Sequence, residues 1–235
     1  MDTAHRIAEN LHQVQARIAA AAARSGRQSS AIRLVGVTKY VGAEETQALV
    51  AAGCLDLGES RPQELWRKAT ELSDQPVRWH MIGHLQRNKL ARTLPLVSLI
   101  HSGDSLRLLE AIHAENLSRS MPPSPVLLEV NVSGDAAKHG FAPTELEPLG
   151  QALAALSGVE PRGLMCMAGR EASVDETRRE FARLRALRDR LQTAWGERCR
   201  LDELSMGMSG DYEAAIEEGA TLVRIGSALF EGLEP

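Results

Sequence analysis

The stretch RLVGVTKY, residues 33 to 40, is an apolar run that closes on a lysine. Side chains on a strand alternate between faces, so Val35, Val37 and Lys39 share one side while Leu34, Gly36 and Thr38 share the other. Lysine is among the residues least often fully buried. The strand therefore ends either at solvent or at a site that uses an amine.

The neighbouring segments decide what kind of sheet this strand belongs to. Ahead of it, Ile7, Leu11, Val14 and Ile18 recur at helical spacing and predict one amphipathic helix over 3–24, ending near Gly26. Behind it, Val/Ile/Leu-rich segments take turns with helical ones. LDLGES (55–60) precedes PQELWRKATEL, RWHMIGH (78–84) precedes LQRNKLART, and SLIHSGDS (98–105) precedes LRLLEAIHAENLSR. PVLLEVNV (125–132), RGLMCMAG (162–169), LDELSMGMS (201–209) and TLVRIGSALF (221–230) continue the rhythm. Between the sixth and seventh, a long helix over 175–195 carries Phe181, Leu184, Leu187 and Leu191 on one face. Eight strands alternating with helices imply a parallel sheet, and eight such units in about 200 residues fit a (β/α)8 TIM-type barrel with an extra N-terminal helix. An open doubly wound sheet is the competitor, but no GxGxxG follows the first strand. No linker or composition break interrupts the chain. The expectation is one domain over 1–235, with the helix in 1–30 and the barrel in 31–235.

The totals narrow the function. Of the 235 residues, 43% are hydrophobic and 25% charged, with a net charge of −4 and no long basic run. Nucleic acid and anionic membranes are unexpected partners for such a surface. Cys54, Cys166 and Cys199 form no CxxC pair, so neither a disulfide framework nor a zinc site is indicated. A polar N-terminus without a signal-peptide pattern and the lack of a membrane-length apolar stretch point to a cytoplasmic protein.

In a barrel the C-terminal strand ends carry the active site. Lys39 is then an inward amine at the mouth, suited to a Schiff base with a carbonyl. SMGMSGD (205–211) and RIGSALFEG (224–232) follow the positions of strands seven and eight, where barrels frequently bind phosphate. Gly207, Gly210 and Gly226 allow close backbone approach there, and Ser209 and Ser227 offer hydroxyls. Arg224 shares a face with Leu222 and Gly226, and an inward arginine needs a partner. That partner is either an interior acid, such as Glu59 or Glu129, or a ligand. His80 and His84 could share a strand face but have no third metal ligand beside them, so His84 is expected as a hydrogen-bonded wall of the site. Lys138 reads as a solvated loop lysine, with a second aldehyde-reacting role as the alternative. Cys166, Met165 and Met167 read as packing.

Taken in order, LVGVTKY, GESRPQE (58–64), WHMIGHLQRNK (79–89), VNVSGDAAKHGF (130–141), RGLMCM (162–167) and LSMGMSGDYEAAIEEGATLVRIGSALFEG (204–232) resemble the pyridoxal phosphate homeostasis protein family. Its members are barrels similar to the N-terminal domain of alanine racemase. The resemblance implies that Lys39 carries pyridoxal 5'-phosphate as an aldimine and that Ser209, Gly226 and Ser227 hold the phosphate. It further implies that Arg224 faces the pyridine nitrogen, with Met206, Gly207, Ser60 and His84 completing the contacts. The family usually reads GEN where this chain has GES, so Ser60 replaces an asparagine; Pro62 replaces an apolar residue, and Met81 stands where phenylalanine is common. The chain ends at Pro235 without the racemase's second β domain, which implies a monomer and argues against efficient racemisation. The implied function is intracellular pyridoxal phosphate homeostasis without efficient catalysis, with apo-enzymes that use the cofactor as partners. A small racemase and a cofactor-free Schiff-base aldolase are the alternatives.

Overall fold

The computed structural model describes residues 2–135, 138–169, 171–196 and 199–233. Residues 136 and 137 of the VNVSGDAAKHGF segment, and the outermost residues 1 and 235 of the expected domain, lie outside that set. Eight parallel strands close on themselves in chain order: β1 (Arg33–Val37), β2 (Asp56–Glu59), β3 (Arg78–Met81), β4 (Val97–Gly103), β5 (Ser124–Glu129), β6 (Val159–Met165), β7 (Glu203–Ser205) and β8 (Leu222–Ile225). β1 pairs with β8 through Val35↔Arg224 and with β2 through Val37↔Gly58, which seals the barrel. The open-sheet alternative is thereby excluded.

The alternation read from the sequence holds. Val35, Leu99, Leu127, Met165 and Leu222 meet inside the barrel. Their outward neighbours, among them Leu57, Ile100, Leu128, Leu164 and Val223, pack under the helices. Strands run shorter than their apolar patterns suggest: β1 stops at Val37 and β3 at Met81, because the chain turns there into the loops of the mouth. β6 begins at Val159, ahead of the expected 162, with Pro161 inside the strand where its missing N–H obscures the pattern.

Outside the barrel run α2 (Ala43–Ala51), α3 (Pro62–Glu71), the single turn α4 (Leu90–Thr93), α5 (Leu106–Ser118), α6 (Pro143–Ala155), α7 (Val174–Trp195) and the short α8 (Tyr212–Glu217). The first helix, α1 (Thr3–Arg24), has the bounds its spacing predicts, and Ile7, Leu11, Val14 and Ile18 are buried. It is not an appendage. After β8 the described chain makes only a 3-10 turn, Ser227–Leu229, and α1 packs against both α2 and α8, where an eighth outer helix would stand. Asn10 fastens it by donating from Nδ2 to the carbonyls of Leu229 and Glu231, at 3.2 and 3.0 Å. Among the described residues no helix is long and apolar enough to cross a membrane.

Since α1 closes the ring through a face that is apolar but for Asn10, Leu11→Ala is expected to lower stability by about 2–5 kcal/mol. The urea midpoint measures this. Leu117→Ala, at a side chain 56% exposed, is expected to stay within about 0.5 kcal/mol of the parent.

Candidate functional site

β1 delivers its lysine through a clamp that the sequence did not announce. Thr38, the residue between the strand and Lys39, donates from Oγ1 to Glu59 Oε1 at 2.7 Å. Lys68 on α3 donates from Nζ to the same carboxylate oxygen at 2.5 Å and to the Thr38 carbonyl at 2.7 Å. Both charged side chains are buried, at 1% and 0% exposure. Glu59 therefore points outward, under α3, and not into the barrel as an interior partner for Arg224. Lys39 itself lies beyond the strand in an exposed turn, its ammonium 4.8 Å from the Tyr40 ring centroid. The expected inward, partly desolvated amine is thus an amine at the rim, held by a rigid base.

The loops after β7 and β8 sit beside it. Gly226 packs on Val37, where an added Cβ would lie 3.2 Å from the Val37 carbonyl oxygen. Its N–H and that of Ala228 both point at Ser209 Oγ, at 3.3 and 3.5 Å. Gly207 adopts φ +92° and lies against Tyr212 and Ala215 so closely that only glycine fits. Its carbonyl accepts from the Arg224 N–H at 3.0 Å. Ser227 is exposed at the start of the final 3-10 turn. Met206 is fully buried, its side chain in the core between barrel and helices, which leaves only its backbone for the loop.

Arg224 points into the barrel, as its phase predicts, and is 5% exposed. Nη1 donates to Ser205 Oγ at 2.5 Å and Nη2 to the Cys166 carbonyl at 2.9 Å. Among the described residues no carboxylate lies within ion-pair distance of it. Burial pushes the guanidinium down from its ordinary value, with Asp211 and Glu129 acting in the opposite direction from farther away. Glu129, the interior acid of β5, is itself pushed up to about 7, mainly by burial and then by Asp104.

The two histidines expected on one strand face are separated. His80 lies inside the barrel, bonded to Asp56 and to His101. His84 lies in the loop after β3, its Nδ1 2.7 Å from Asp104 Oδ2 and its ring stacked on His139 at 5.3 Å. Asp104 and His139 are thus the neighbours that the sequence could not place beside it. The expectation of a hydrogen-bonded wall describes His84 well. Ser60 makes no side-chain hydrogen bond among the described residues, and Gly83 rests on its backbone. Met81 faces the outer core and not the site. Lys138 is no free loop lysine, because Nζ donates to the carbonyls of Met167 and Ala168 at 3.1 and 3.0 Å and ties two loops together. Met167 is exposed, whereas Met165 and Cys166 pack as expected, with burial pushing the Cys166 thiol up to about 12.

This parallel barrel falls in a known class of protein, since the family model of the alanine racemase N-terminal domain matches residues 7–234. The pyridoxal phosphate homeostasis protein of Pseudomonas aeruginosa is 42% identical over 95% of this chain and 94% of its own length. That of Aquifex aeolicus is 39% identical over 94% of this chain and 96% of its own. The chain belongs to this family of pyridoxal phosphate homeostasis proteins. Among solved structures, PipY of Synechococcus elongatus with pyridoxal phosphate bound superposes with a TM-score of 0.83 at 34% identity, over 95% of this chain and 99% of that one.

Two outcomes test this geometry. Lys68→Met leaves the Glu59 carboxylate buried without its counter-charge and is expected to cost about 3–5 kcal/mol in denaturant titrations. Glu129 binds a proton more tightly folded than unfolded, so between about pH 4.5 and 7 the folded state holds more protons and stability falls as pH rises. The fall expected from this carboxyl is about 3 kcal/mol, and Glu129→Gln is expected to flatten it.

Proposed function

We propose that this protein binds pyridoxal 5'-phosphate at the mouth of the barrel and holds it for homeostasis, without efficient turnover. The observation that carries the reading is Arg224, a buried guanidinium with no carboxylate partner among the described residues, held between Ser205 at the end of β7 and the Cys166 carbonyl just past β6. Pyridoxal 5'-phosphate supplies an aldehyde that condenses reversibly with a primary amine, releasing water, on a pyridine ring that carries a phosphate. The residues present fit such a group. Lys39 offers the amine on a clamped strand end, and the N–H groups of Gly226 and Ala228 with the Ser209 and Ser227 hydroxyls form a cradle for the phosphate. Arg224 would be the group offered to the ring nitrogen, and His84, Ser60 and the backbone of Met206 and Gly207 would line the rest.

Arginine opposite the ring bears on catalysis. A guanidinium holds its protons too firmly to hand one to a pyridine nitrogen, so the ring is a poorer electron sink than one paired with a carboxylic acid. Binding and release of the aldehyde are unaffected by this, while carbanion chemistry is disfavoured. The names of the relatives agree with a non-catalytic role. In this reading the chain works as one domain and one copy in the cytoplasm, passing the cofactor to apo-enzymes.

Absorbance of the purified protein tests the reading. Wild type is expected to be yellow or to become so with added cofactor, Lys39→Ala to lose the colour, and Arg224→Glu to bind more weakly with a shifted maximum. A wild type that takes up no cofactor overturns it and leaves the Schiff-base aldolase. Exchange of the α-proton of alanine in heavy water, at rates typical of enzymes, would instead make the protein an amino-acid racemase.

A further inference from the structure

Inside the barrel the Arg224 guanidinium begins an unbroken file of hydrogen bonds that ends on a carboxylate at the opposite, N-terminal end. Arg224 Nη1 meets Ser205 Oγ at 2.5 Å, and Ser205 Oγ meets His101 Nδ1 at 2.8 Å. His101 Nε2 meets His80 Nδ1 at 2.9 Å, and His80 Nε2 meets Asp56 Oδ1 at 3.0 Å. Asp56 closes the file against Arg78, with Nε at 2.9 Å and Nη2 at 2.5 Å. Ser205, His101 and His80 are all buried, at 0%, 0% and 1% exposure.

The donors fix the direction of the file. Guanidinium only donates, so Ser205 Oγ accepts from Arg224 and turns its own hydrogen to His101 Nδ1. A neutral His101 then carries its hydrogen on Nε2 and gives it to His80 Nδ1, which leaves His80 Nε2 to donate to Asp56. Burial, then the neighbouring His80 and Arg224, push His101 well below its ordinary value, in keeping with a neutral ring. Burial raises Asp56, but the Arg78 guanidinium and His80 outweigh it and hold the carboxyl well below the usual range, so it stays an acceptor. The reverse direction would put the hydrogen on His101 Nδ1 and strand the Ser205 hydroxyl hydrogen without an acceptor among the described residues.

We infer that Ser205, His101, His80 and Asp56 are positioning residues that act as one polarised chain, fixing the orientation of the Arg224 guanidinium and coupling its charge to the Asp56 carboxylate across the barrel. This rests on the reading of Arg224 as the cofactor's ring partner. Each link polarises the next in a buried interior, so removing a distant link is felt at the mouth.

Two measurements test it, and the first needs no cofactor. Imidazole 15N spectra of the cofactor-free protein at neutral pH are expected to show both His80 and His101 as neutral rings with the hydrogen on Nε2. A hydrogen on His101 Nδ1, or a doubly protonated ring at either position, overturns the chain. The second is titration with pyridoxal 5'-phosphate followed by absorbance. Ser205→Ala is expected to stay competent for loading but to bind about tenfold more weakly, with a displaced absorbance maximum that Ser205→Thr restores. Asp56→Asn, at the far end, is expected to move the maximum in the same sense. Leu127→Val, an apolar change in the same interior, is expected to lower stability and leave the spectrum alone. Parental spectra and affinity in both Ser205→Ala and Asp56→Asn would overturn the coupling. A wild type that takes up no cofactor would count against the binding reading, while the imidazole spectra would still decide the chain.

Discussion

A guanidinium buried with no carboxylate of the described residues within ion-pair reach is the constraint around which the barrel interior is arranged. Stripping such a group of water is expensive, and the cost must be offset by hydrogen bonds placed to receive it. β6 supplies the Cys166 carbonyl just past its end, and β7 supplies Ser205. Barrel interiors are ordinarily filled by branched apolar side chains in layers. Here Val35, Leu99, Leu127, Met165 and Leu222 form that filling, and the polar file from Arg224 to Asp56 runs beside it. One charged residue on the last strand thus dictates side chains on four others.

A second buried charge pair serves the other half of the mouth. Lys68 and Glu59 lie outside the barrel wall, and their shared contact with Thr38 converts the last turn of α3 into a brace for the end of β1. An isolated buried pair of this kind gives little net stability compared with apolar packing. Its contribution here is positional, since the Thr38 carbonyl and hydroxyl are both held one residue before the amine. Gly226, lying on Val37, brings the phosphate-type loop against the same strand end. Amine and loop therefore share one rigid support.

The fold was legible because period alone carries it. Apolar residues three and four apart gave α1 its bounds to the residue, and alternation gave all eight strands in order. What escaped was where strands stop, since Ile82 and Cys166 prolong the apolar pattern into loops. Lys39, Arg224 and the glycine–serine loops were legible from their strand and phase. The clamp and the polar file were not, because they join residues 9 to 104 positions apart whose meeting depends on ring closure and register. A signal for the file was nonetheless present: Asp56, His80, His101 and Ser205 each occupy an inward phase of their strands. The reading of Glu59 as an interior acid failed for the converse reason, since Gly58, not Glu59, holds the inward phase of β2.

The two supports differ in kind, and the difference bears on what the mouth can do. In the proposed reading the exposed amine just past β1, near the Tyr40 ring, meets an aldehyde arriving from solvent and releases it again. The guanidinium on β8 is held by Ser205 and by the Cys166 carbonyl and would stay fixed beneath a bound ring. Catalysis on such a ring requires a partner that gives and takes charge as the reaction proceeds. A fixed cation favours one electronic state of the ring throughout. In that reading an exposed amine with a buried, fixed cation is an arrangement for capture and release, separating the holding of a reactive aldehyde from its use.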